Sequence, residues 1–96
     1  MFVLVCYDIA DVAGEGAARL RRVADACKDY GVRAQYSVFE CRISESQWVA
    51  LRHKLLGSID SEKDSLRFYF VCERDVERIE NHGAKKGIDP TGLLLV

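Results

Sequence analysis

Phe2-Val3-Leu4-Val5-Cys6-Tyr7-Asp8 is the stretch on which the fold turns. Six apolar or aromatic residues run without a break and are stopped by a carboxylate, which is how a central strand covered on both faces reads. Asp11 to Gly16 is small, acidic and glycine-bearing, so a loop follows. From Ala17 to Tyr30 the apolar positions Ala17, Leu20, Val23, Ala24, Cys27 and Tyr30 recur at three and four residues. Arg19, Arg21, Arg22, Asp25 and Lys28 fill the gaps, so this is an amphipathic helix. Gly31 stands where a left-handed residue would close it.

Val32 to Ile43 is β-branched and aromatic, and Tyr36-Ser37 near its middle can host a tight turn or a bulge, giving two short strands. Ser44 with Gln47 three residues on is a capping box, opening a helix whose apolar positions are Trp48, Leu51, Leu55 and Ile59. Gly57 marks its approximate end. Leu66, Phe68 and Phe70 then alternate with Arg67 and Tyr69 in the period of a strand. A charged short helix or turn over Glu73 to His82 and a terminal strand at Leu93 to Val96 complete the order. The expected fold is α+β: a ferredoxin-like β-α-β-β-α-β sandwich with both helices on one face of an antiparallel sheet, plus an additional C-terminal strand. Tyr7, Phe39 and Tyr69 are expected on the opposite face, where a second copy of the chain would cover them. Leu93 to Val96 would then add to the partner's sheet edge.

At 96 residues and 49% hydrophobic, the chain has room for one domain over 1–96, with a core of about 1–72 and an extension of about 73–96. A formal net charge of -1 gives no global attraction to nucleic acid, so such a role would rest on local arginines. Cys6, Cys27, Cys41 and Cys72 form no metal-binding or C-x-x-C pattern and read as small hydrophobes. His53 and His82 lack catalytic or ligand companions. No window approaches the roughly 18 apolar residues of a membrane span, so a cytoplasmic protein with no membrane partner is expected.

Asp8 sits where the first strand ends, at the rim of the sheet. Together with Gly31-Val32-Arg33-Ala34-Gln35-Tyr36-Ser37-Val38-Phe39-Glu40-Cys41 and Asp64-Ser65-Leu66-Arg67-Phe68-Tyr69, the first strand makes the chain resemble the small ferredoxin-fold nuclease and adaptation subunit of CRISPR systems. The resemblance covers roughly Phe2 to Cys72 and is most specific in R-x-Q-x-S-V-F-E. It implies a homodimer in which the two Asp8 residues face each other and bind a divalent metal, Mg2+, for endonuclease activity on RNA or double-stranded DNA. It also implies partnership with the larger CRISPR integrase in a heterohexameric complex that acquires spacers, with Tyr7, Ser37 and Phe39 beside the site. Magnesium takes about six hard oxygen ligands, so paired carboxylates suit it, and Arg19, Arg22 and Arg33 are candidates for bidentate phosphate contacts.

Duller readings stand beside these. Asp8 would merely cap the following turn; Arg19, Arg21 and Arg22 would be a solvated helix face; Arg33 would pair with Asp29; Tyr7 and Phe39 would pack. As alternatives for the whole chain, a catalytically idle architectural dimer, a small-molecule-binding regulatory module or a ribonuclease toxin share the fold class.

Overall fold

The computed structural model describes residues 1–84. The expected strand at Leu93 to Val96 lies outside them. In chain order the elements are β1 (Phe2–Asp8), α1 (Gly16–Lys28), β2 (Val32–Gln35), β3 (Val38–Arg42), α2 (Glu45–Leu56), β4 (Ser65–Val71) and α3 (Glu73–Val76). The sheet runs β2-β3-β1-β4, every neighbouring pair antiparallel. Two βαβ crossovers interleaved in this way give the ferredoxin-like arrangement.

Register fixes which side chains share a face. Val5 stands opposite Phe39 on β3 and Phe68 on β4, and Val3 stands opposite Cys41 and Phe70. Because successive residues of a strand alternate, these side chains project together. With Tyr7 and Ile9 they join Val23, Ala26 and Cys27 of α1 and Leu51 and Leu55 of α2 in one buried cluster. Trp48 closes its β4 side, set edge-on against Phe68 at 4.8 Å and Phe70 at 5.1 Å, a favoured aromatic geometry. Phe2 and Val76 are also fully buried but lie outside that cluster; Phe2 is on the other face of β1, beneath the Arg42 guanidinium.

Of the three aromatic residues expected on the face away from the helices, only Tyr69 is there. Tyr7 and Phe39 belong to the helix-side core, 6% and 1% exposed. A continuous apolar strand conceals its own period of two, so the sequence does not say which face each residue takes. The open face carries Leu4, Cys6, Val38 and Tyr69, with Arg67 and Asp8 toward one end.

The capping box is present in full: Gln47 N–H donates to Ser44 Oγ at 3.2 Å, and Ser44 N–H donates to Gln47 Oε1 at 2.9 Å. Gly57 caps the other end of α2. Gly31 works differently from expectation. Its φ is not positive; a Cβ there would run into the Glu40 carbonyl and the Cys41 sulfur, so glycine lets the α1–β2 connection lie close against β3.

Two substitutions separate the cap from the core. In thermal unfolding, Ser44→Ala is expected to cost about 1 kcal/mol, a Tm fall of roughly 4–8 °C in a domain of this size. Leu51→Ala, at 0% exposure, is expected to cost about 2–5 kcal/mol. Equal effects would contradict the placement of Leu51 in the core.

Candidate functional site

The quoted motifs meet at one end of the sheet. The β1–β4 ladder closes with Asp8 opposite Ser65, so Asp64 immediately precedes the residue facing Asp8. On the other side of β1, Tyr7 N–H donates to the Ser37 carbonyl at 3.1 Å. The hairpin turn Tyr36-Ser37 and the start of β4 therefore flank the end of the first strand.

Behind that end lies a buried carboxylate. Asp64 Oδ1 accepts from Ala10 N–H at 2.9 Å and Oδ2 accepts from Asp60 N–H at 2.8 Å. Arg19 donates its Nε to Oδ2 at 2.7 Å and its Nη2 to Oδ1 at 3.2 Å, a bidentate fork. The same Nη2 reaches the Ala10 carbonyl at 3.2 Å. The Asp64 side chain is 0% exposed and that of Arg19 13%. The hydrogen bond from Arg19 holds the Asp64 carboxyl well below the usual carboxylate range; burial opposes this, and the Asp60 and Ala10 N–H groups reinforce it. One carboxylate thus ties the loop after β1, the first turns of α1, the end of the α2–β4 loop and the start of β4.

The other acids at this end are also engaged. Asp11 takes positive φ, at 54°, and accepts from Glu15 N–H through Oδ2; Gly14 and Gly16 N–H groups donate to its carbonyl at 3.0 and 2.8 Å. Asp60 Oδ1 accepts from Glu62 N–H at 3.0 Å. Asp8 differs. It is exposed, and among the described residues no side-chain hydrogen bond or ion pair engages its carboxylate. The N–H groups of the following turn are satisfied by Asp64 and Asp11, which removes the capping explanation for Asp8.

Tyr7, Ser37 and Phe39 gather beside this end. The Tyr7 and Phe39 rings stack at 6.3 Å between centroids, and Tyr7 Oη donates to the Tyr36 carbonyl at 3.4 Å. Burial pushes the Tyr7 hydroxyl up, with Arg33 opposing it. The Arg33 guanidinium sits 5.1 Å from the Phe39 ring centroid, a cation–π placement. Asp29 is held instead by Lys54, at 3.8 Å. Of the candidate phosphate ligands, Arg19 is engaged by Asp64, and Arg22 lines an exposed groove between α1 and α2 with Asp25, Asp29, Lys54 and Ser58. Arg33 is exposed on the hairpin that flanks Asp8.

No group of three His, Cys, Asp or Glu side chains able to hold a metal occurs among the described residues. A single protomer supplies one uncommitted carboxylate, which fits half of a two-carboxylate magnesium site and no more. The buried thiols are not candidates: burial pushes Cys27 up to about 12 and Cys41 up to about 11, leaving them protonated and inert. No described helix is long and apolar enough to cross a membrane.

Sequence reasoning quoted Asp64 within a motif but gave it no role. The available signal was an Asp at each end of the polar segment Asp60 to Asp64 and an arginine in the first turns of α1; their pairing spans 45 residues.

Residues 1–79 match the family model for "CRISPR associated protein Cas2". A protein from Chlorobaculum tepidum named CRISPR-associated endoribonuclease Cas2 is 48% identical over 96 residues, the whole of both chains. One from Halalkalibacterium halodurans named CRISPR-associated endonuclease Cas2 is 45% identical over 89 residues, 93% of each chain. The crystal structure of Streptococcus pyogenes Cas2 superimposes with a TM-score of 0.76 at 43% identity, covering 86% of this chain and all of that one.

The Asp64 network carries a signed acid dependence. A carboxyl held below its unfolded value stabilises the fold above about pH 4 and loses that contribution as pH falls further, because the unfolded chain takes up the proton first. Asp64→Asn is expected to lower the Tm at pH 7 by more than Ser44→Ala does, and to flatten the decline of Tm below about pH 4. An acid decline as steep as in the unmutated protein would show that other carboxyls carry it.

Proposed function

The chain belongs to the CRISPR-associated Cas2 family, and from that footing we propose that it is a homodimeric, magnesium-dependent endonuclease whose reaction centre is the pair of Asp8 carboxylates. The observation that carries this reading is the contrast at one end of the sheet. Asp11, Asp60 and Asp64 are engaged by backbone or guanidinium donors, whereas Asp8 is exposed and uncommitted among the described residues. Removing a carboxylate from competing donors leaves its oxygens available to a hard cation.

Two copies joined through the open face, where Leu4, Cys6, Val38 and Tyr69 lie, would bring the two Asp8 groups to a shared site. A magnesium ion held there would polarise a phosphodiester and lower the pKa of a bound water. The chain's own contribution is positional. The Asp64–Arg19 clamp fixes the backbone behind Asp8, and Arg33 offers a guanidinium fork to a phosphate nearby. With no net positive charge on the chain, affinity for RNA or double-stranded DNA would rest on such local contacts and fall as salt rises. The names of the relatives divide between endoribonuclease and endonuclease, so the proposed substrate class is a nucleic-acid strand, RNA or DNA.

In the cell the proposed setting is the cytoplasm, in complex with the CRISPR integrase during spacer acquisition. A second reading, an architectural dimer that holds duplex without cutting it, is favoured by the single carboxylate that each protomer supplies.

Cleavage of single-stranded RNA and of duplex DNA by matched preparations of the unmutated protein and Asp8→Asn separates the two. The nuclease reading expects cleavage that requires Mg2+ and falls at least about 100-fold in Asp8→Asn, with the dimer and Tm preserved. Absence of cleavage from the unmutated protein, alongside salt-sensitive duplex binding, would leave the architectural role.

A further inference from the structure

Tyr36 is 80% exposed, on the turn that flanks Asp8. A large aromatic ring standing in water is unfavourable by roughly 25 cal/mol per Å² of apolar surface, and nothing in the turn requires it. Two-residue hairpin loops ordinarily take residues of positive φ, because mirror-image turns match the strand twist. Neither Tyr36 nor Ser37 has positive φ. The mismatch is absorbed next door, where the β2–β3 register shifts between Arg33 and Gln35. Such a bulge bends the strand and re-aims the side chains beside it.

The turn is also fixed in place. Ser37 accepts from Tyr7 N–H at 3.1 Å and the Tyr36 carbonyl accepts from Tyr7 Oη at 3.4 Å. Both bonds go to backbone atoms of the turn, so they hold the backbone and leave the Tyr36 ring outside. Tyr7 is the residue before Asp8. The ring is therefore presented from a fixed backbone beside an uncommitted carboxylate, with the exposed Arg33 three residues away on the same hairpin.

We propose that the Tyr36 ring is a positioning platform for a nucleobase of the strand presented to Asp8, stacking on an unpaired base while Arg33 meets the backbone phosphate. A ring and a cation on one rigid element are the pair of features by which single strands are held without reading sequence. A base within a duplex offers no open face, so the platform discriminates in favour of single-stranded or frayed segments. The inference rests on the nuclease reading for what the strand is doing there, but binding alone tests it.

The test uses the full chain with Asp8→Asn as background, without Mg2+, titrated into a single-stranded RNA bearing 2-aminopurine and into a duplex of the same sequence. Tyr36→Ala is expected to weaken single-strand binding roughly tenfold and to reduce 2-aminopurine quenching, whereas Tyr36→Phe restores both. Duplex binding should be unchanged in each. Since the ring is exposed and the turn is held by backbone atoms, Tm should not move. In the Asp8 protein, Tyr36→Ala should raise KM more than it lowers kcat. If the unmutated protein cuts nothing but the tenfold loss persists, the nuclease reading fails and the platform stands. Single-strand affinity that is unchanged in Tyr36→Ala overturns the platform; were association with an integrase subunit lost at the same time, the ring would belong to a protein contact instead.

Discussion

One buried carboxylate organises the end of the sheet where the chemistry is proposed. Asp64 receives two backbone N–H groups and the guanidinium fork of Arg19, and in doing so it joins segments far apart in sequence. A buried charge is tolerated only when paired and fully hydrogen-bonded. Because this one is, the loop after β1 and the start of β4 have a fixed relation to α1. Gly16 completes the arrangement: a Cβ there would collide with the Ala10 carbonyl that Arg19 also contacts.

The consequence for Asp8 follows by exclusion. Donors that would otherwise seek the nearest carboxylate already have one. Asp64 takes the Ala10 N–H and Arg19, and Asp11 takes Glu15 N–H, so Asp8 ends its strand without a structural duty among the described residues. Its neighbour Tyr7 points to the opposite face and packs against Phe39. Alternation in β1 thus divides adjacent residues between holding the fold and facing outward, and the Tyr36-Ser37 turn, bonded to Tyr7, is held at the same rim.

Much of this was legible in the sequence. The apolar run of β1, the three-and-four spacing of α1, the alternation in β4 and the Ser44–Gln47 box each encode a local periodicity or cap, and each appears where local physics places it. Tyr36-Ser37 read as a turn for the same reason. Facing was not legible for Tyr7 and Phe39, because a run that is apolar throughout carries no alternation to read. Gly31 was open to two explanations, a left-handed cap or a close approach, and only the proximity of β3 decides between them. Partner choice was least legible: Arg19 with Asp64, and Lys54 rather than Arg33 with Asp29, depend on which helices and loops meet after folding. Asp8 itself was visible as a strand-ending carboxylate, and its lack of commitment became visible only when the neighbouring acids were seen to be engaged.

The claim on which the function rests is that Asp8, alone among the acids at this end of the sheet, is available to a cation. Side-chain carboxyl 13C resonances followed by NMR through a Mg2+ titration test it directly. A shift confined to Asp8, saturating with Mg2+ while Asp11, Asp60 and Asp64 stay still, is the predicted result. A response centred on Asp64 or Asp11, or none at Asp8 in the dimer, would contradict it.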